Sequence, residues 1–116
     1  MWKALVILVA FAIPVSTTST GLLPETEAAL KQAEHLYGQF IMITSAYRTP
    51  EWNTSVGGVP GSYHLSGEAI DIRMPLNATL LVKLVWALSQ AGFRGIGVYN
   101  THIHADIRKN AIFWRS

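Results

Sequence analysis

Three of the four histidines in this chain lie in strand-like or loop-like segments with a carboxylate close by, and its only two aspartates, Asp71 and Asp106, each lie beside one of those segments. His64 falls in a loop-like stretch, while Asp71 sits inside the apolar run from Ala69 to Ile72. A carboxylate in such a run is costly to bury unless something positive neutralises it, and a divalent cation does so directly. His102, His104 and Asp106 alternate along a second run, so on a strand their side chains share one face. His64, Asp71 and His104 together supply three ligands and leave a fourth position for water, the pattern of a catalytic rather than a structural zinc site. With no cysteine in the chain, disulfides and Cys-ligated metal are excluded, and any metal is held by His, Asp or Glu.

Other readings of the same residues stand beside this one. Asp71 could pair with Arg73 or Arg48. His64, His104 and Asp106 have the ligand types of a two-His-one-carboxylate iron site, but that set leaves Asp71 unexplained. His35 reads as a surface residue of a helix, and His102 equally as an outward-facing strand residue.

The elements that must position these groups follow from periodicity and punctuation. Leu30, Ala33, Leu36 and Tyr37 recur at helical spacing after Pro24, and Gly38 stops the run. Phe40 to Tyr47 is short and apolar, which suits a buried strand. From Arg48 to Tyr63 the chain is rich in Gly, Pro, Ser, Thr and Asn, and so long a loop in a small domain is usually functional. Ala69 to Arg73 reads as a second strand. Asn77 can cap a helix through Leu80, Leu81, Leu84, Val85 and Leu88, with Gly92 past its end. Gly95 to Tyr99 and His102 to Arg108 are the last strands, joined by the turn-prone Asn100 and Thr101. The class is α+β, a small antiparallel sheet with two main helices.

The chain has 116 residues, room for one domain. Half of it is hydrophobic, and much of that excess lies in residues 1–15. Met1, Trp2 and Lys3, the apolar run from Ala4 to Val15 and the small polar residues Ser16 to Gly21 have the layout of a secretory signal. The run is shorter than a membrane span of about 20 residues. No Ala-x-Ala cleavage site follows, so an uncleaved anchor stays open. Residues 1–21 are thus read as signal peptide or N-terminal anchor and 22–116 as the domain. The protein is expected outside the cytoplasm, periplasmic or extracellular, touching the inner membrane only through an uncleaved leader. Its nine Lys and Arg are spread along the chain, nearly all singly, for a net charge of +2, with no run that would track a nucleic-acid backbone. A mildly basic surface favours an anionic polymer such as cell wall.

Ser45, Tyr47 and Arg48, followed by Ser62, His64, Gly67, Ala69 and Asp71, resemble the zinc D-Ala-D-Ala peptidases of the M15 type, in the small form found in bacteria and phages. The segments Gly95–Tyr99, His102–Arg108 and Phe113 with Trp114 look like that family's closing strand and tail. The resemblance covers essentially everything after Phe40. It implies the fold shared by hedgehog domains and D-Ala-D-Ala peptidases, and a monomer with one zinc held by His64, Asp71 and His104. It also implies zinc-dependent hydrolysis of peptide bonds in peptidoglycan stem peptides, as a D,D-carboxypeptidase or endopeptidase of endolysin-like type. On the substrate side it implies Arg48 and Ser62, and a guanidinium suits two-pronged binding of a carboxylate. Many members carry an acid three residues before the last zinc histidine, where this chain has Thr101. His102 is then a candidate for stabilising the oxyanion or passing a proton, and Asp106 for acting as base or for orienting a ligand histidine. His102 to His104 also resembles the same stretch in hedgehog signalling domains, which keep fold and zinc without established peptidase activity. That comparison implies the alternative of a non-catalytic, zinc-stabilised wall-binding module.

Overall fold

A computed structural model describes residues 21–116. The expected leader, Gly21 aside, lies outside the described residues. Among the described residues no helix is long and apolar enough to cross a membrane.

Helix α1, Pro24–Tyr37, begins with proline in its first turn and Glu25 and Glu27 near its positive end. It stops at Gly38, whose left-handed backbone (φ 81°) lets its N–H reach the Glu34 carbonyl. Helix α3, Ala78–Ala91, starts where the Asn77 side chain accepts a bond from the Leu80 N–H at 2.9 Å. Ala29, Ala33 and Tyr37 of α1 and Leu84, Ala87 and Leu88 of α3 pack together against one face of the sheet.

That sheet has five strands in the order β1-β2-β4-β3-β5: Ile43–Ser45, Ala69–Arg73, His102–Asp106, Gly95–Val98 and Ile112–Arg115. Four pair antiparallel, as expected, while β5 adds itself in parallel alongside β3. This edge strand has no counterpart in the strands read from periodicity, because a parallel partner is reached by a crossover rather than a hairpin. β1 is shorter than the Phe40–Tyr47 run. Its register shifts between Ile43 and Ser45, and the Ile41 N–H is taken by the Glu34 carboxylate of α1 at 3.1 Å instead of by a strand.

Alternation along β2 and β4 divides two environments. Ile70, Ile72, Ile103 and Ala105 point into the helix-covered core. Asp71, His102, His104 and Asp106 point to the other face. The long loop that approaches this face is partly ordered into helix α2, Pro50–Ser55, capped by Thr49, and the 3-10 turn Tyr63–Ser66, capped by Ser62.

Candidate metal centre and active site

Antiparallel pairing of β2 with β4 sets Asp71 directly opposite His104. The Tyr63–Ser66 turn brings His64 in from the side, because the Ser62 hydroxyl accepts from its backbone N–H at 3.2 Å. The result is a convergence on Asp71 Oδ1, with His64 Nε2 at 3.1 Å, His104 Nδ1 at 3.4 Å and His102 Nε2 at 4.0 Å.

Whether these groups suit a metal is decided by the outward-facing ring nitrogens. His64 Nδ1 lies 2.7 Å from the Ala46 carbonyl, which can only accept, so Nδ1 carries the proton. His104 Nε2 lies 2.6 Å from Asp106 Oδ2 and donates to it. Each histidine therefore turns a nitrogen toward Asp71 whose partner nitrogen is already engaged, and the three inward atoms lie within 4.8 Å of one another. Three electron-rich atoms gathered at one point call for a cation between them, and two imidazoles with one carboxylate are a zinc donor set.

Electrostatics around this cluster are strongly biased. Burial raises the Asp71 pKa, but bonds from His104 and His64 and the charges of His64 and His102 outweigh it and hold the carboxyl well below the usual range. Burial likewise opposes ionisation of Asp106, yet Arg108 and His104 bring its pKa down to about 2. Asp106 is fully buried, and Arg108 grips it with Nε on Oδ1 at 2.7 Å and Nη2 on Oδ2 at 2.6 Å. For His104, burial disfavours the charged form, but the bonds to Asp106 and Asp71 win and raise its pKa.

A pH dependence follows for metal-free protein. The two carboxylates, depressed from 3.8, contribute stability that is complete above about pH 4 and lost as pH falls through their folded values. His104, raised from 6.5, contributes stability that is complete below 6.5 and lost as pH rises through its folded value. The thermal midpoint of metal-free protein should therefore peak between about pH 4 and 6.5. Saturating zinc should move the peak upward, because metal and proton compete for His104. A midpoint that climbs steadily from pH 5 to 9 without metal would contradict this.

The remaining expected site residues sort by position. An open cleft of about 290 Å³ is lined by Arg48, Ser62, His64, Asp71, His102 and His104 together with Tyr99 and the loop from Val56 to Val59. Arg48 stands in its wall, but Nη2 donates to Asp71 Oδ2 at 2.8 Å, Nη1 to Asn53 Oδ1 at 3.3 Å and Nε to Ser45 Oγ at 3.2 Å. Of the two arginines weighed as partners of Asp71, Arg48 is the one that pairs. His102 belongs to the cleft, with Nδ1 at 2.8 Å from the Thr101 hydroxyl and its ring stacked on Tyr99. Asp106 does not line the cleft. It stands behind His104, and Asp71 is the only carboxylate among the described residues that faces the opening. His35 is exposed on α1 and takes no part.

A family model for peptidase M15 matches residues 8–106. The chain belongs to the peptidase M15 family. No curated protein matches it. The matched span starts within the apolar N-terminal run and ends at Asp106, so it includes every residue of the convergent cluster. M15 peptidases are zinc enzymes, and in this M15 peptidase the His64, Asp71 and His104 cluster can hold such an ion.

Periodicity did not single out four further residues of the site. Arg108 lies two positions beyond Asp106, within the His102–Arg108 run read as a strand although β4 ends at Asp106, so a signal was available. Asn53 is buried and fastens the cleft loop through Nδ2 to the Val59 carbonyl at 2.8 Å. Tyr99 and Trp114 are brought in by pairing between distant strands, for which local sequence holds no sign.

Proposed function

We propose that this M15 peptidase hydrolyses peptide bonds in the stem peptides of peptidoglycan, as a D,D-carboxypeptidase or endopeptidase. The observation that carries the reading is the cleft itself. It has three potential metal-ligating atoms gathered in it, an arginine in its wall and a histidine nitrogen beside that cluster. When bound at His64, Asp71 and His104, zinc would supply Lewis-acid activation of the scissile carbonyl and lower the pKa of the attacking water.

The protein's own groups then have separate tasks. Arg48 keeps its positive charge in the cleft wall, where it favours a substrate carboxylate, while one of its nitrogens holds Asp71 in orientation. Val56 and Val59, exposed at the rim, offer apolar contact to small methyl side chains such as those of alanine. His102 Nε2 is the nitrogen turned toward the reacting position, suited to take a proton from the nucleophile and return it to the leaving amine. Ser62 acts through the turn that presents His64. Asp106 works through His104, whose ring it orients, rather than as a base. The basic chain and the expected leader suit a monomer acting on wall outside the cytoplasm.

The decisive experiment incubates zinc-loaded protein with purified muropeptides and identifies products by mass. Release of alanine or a cleaved stem, abolished by chelator and restored by zinc, is the expected result. Thr101, at the position where the family resemblance implies an acid in many members, favours the wall-binding module as second reading. Retention on wall with no product between about pH 5 and 9, at about one zinc per chain, would establish that reading instead.

Arg48→Lys tests both tasks of the arginine. A lysine cannot form the paired contact, so turnover should fall about tenfold. Zinc affinity should also weaken by about tenfold, because Asp71 Oδ2 loses its partner. Unchanged zinc affinity by competition titration would confine Arg48 to the substrate.

A further inference from the structure

We infer that Tyr99 and Trp114 are positioning residues for the two histidines of β4, which makes the edge strand β5 part of the catalytic apparatus. The inference rests on the peptidase reading of the cleft. It concerns a strand beyond the span matched by the family, which ends at Asp106.

His104, Gly97 and Trp114 form one row across three adjacent strands, since Gly97 is in register with His104 on one side and Trp114 on the other. A side chain at position 97 would collide with this arrangement, because a Cβ there would come within 2.3 Å of the Trp114 ring. Its absence lets the indole lean over β3 onto His104, with ring centroids 5.5 Å apart. The indole Nε1–H donates to the Tyr99 hydroxyl at 2.9 Å. Tyr99 in turn stacks on His102 at 4.6 Å, the two planes within 6° of parallel. One side chain thus backs both histidines, His104 directly and His102 through Tyr99. The indole also carries the Arg108 guanidinium, 5.1 Å from its ring centroid, the same group that grips Asp106.

Such backing matters most for His102. Its side chain is about one-third exposed, and its bond to the neighbouring Thr101 hydroxyl leaves the ring free to swing with the turn. A proton-transfer group must be held within about 0.5 Å and 10–20° of its working geometry. The stacked Tyr99 ring restricts that swing, and Trp114 fixes Tyr99 from behind.

The test uses two variants that remove the same hydrogen bond from opposite ends. Trp114→Phe keeps a ring over Gly97 but loses the N–H, and Tyr99→Phe keeps the stacked ring but loses the hydroxyl. Each should lower kcat on muropeptides about tenfold while KM and zinc content stay at the parent values. The double variant should be no slower than either single one. A readout independent of turnover is the proton NMR of the His102 ring, whose C–H resonances the stacked Tyr99 should shift upfield. In Trp114→Phe those resonances should move back toward free-histidine positions. If the parent cleaves nothing, the peptidase reading fails, and the His102 resonances still decide the positioning role. Parent-like kcat together with parent-like His102 resonances in both variants would overturn the inference. So would additive losses, or a fall in kcat that only tracks the fall in thermal midpoint. Should Trp114→Phe fail to fold, Tyr99→Phe, which differs by a single hydroxyl, carries the test.

Discussion

Asp71→Ala should abolish zinc binding and lower kcat/KM on the order of a thousandfold, because one side chain serves every other member of the cluster. Oδ1 faces His64, His102 and His104, and Oδ2 takes Arg48. Its removal leaves the Arg48 guanidinium, only 13% exposed, without a counter-charge. Breaking a buried pair from one side costs about 3 kcal/mol even before metal is considered. In a domain of this size that is a fall in thermal midpoint of more than about 10 °C. Asp71→Asn separates charge from shape. It should keep more of the metal-free stability than alanine does, yet still lose most of the zinc. Competition titration with a chelating dye and thermal scans with and without zinc measure both effects. An alanine variant that retains one zinc at parental affinity would mean that the metal sits elsewhere.

Asp106→Ala should have the second largest effect, expressed in affinity and stability rather than in chemistry. Asp106 is fully buried and holds His104 Nε2 and Arg108 together. Losing it frees the His104 ring and strands the arginine, so zinc should bind about 10–100-fold more weakly. The fold should lose about 3 kcal/mol. At zinc concentrations that saturate the variant, turnover should recover to within about tenfold of the parent. A carboxylate that served as the base would behave in the opposite way. Zinc affinity would be kept and saturated turnover would fall about 10²–10⁴-fold. Measuring kcat across a zinc titration therefore distinguishes the two roles sketched for Asp106 from sequence.

Local sequence determined a good deal about this protein. Both main helices were legible, because Pro24, Gly38 and Asn77 act on their own neighbours within a turn or two of chain. The face shared by His102, His104 and Asp106 was legible too, since alternation along a strand is a local property. The anomaly of an aspartate inside an apolar strand pointed to a cation, and a spaced His-x-x-Gly-x-Ala-x-Asp string pointed to a family. Tertiary structure alone decided which groups meet. Asp71 stands opposite His104 because β2 and β4 adopt the one register that sends Ile70, Ile72, Ile103 and Ala105 into the core. Arg48 turns to Asp71, and Asp106 is shut behind His104 by Arg108, because charges withdrawn from water take the nearest opposite charge. The parallel strand β5 escaped periodicity for the same reason. Its partner is β3 rather than its chain neighbour β4, and pairing across a crossover depends on the assembled sheet instead of on any window of residues.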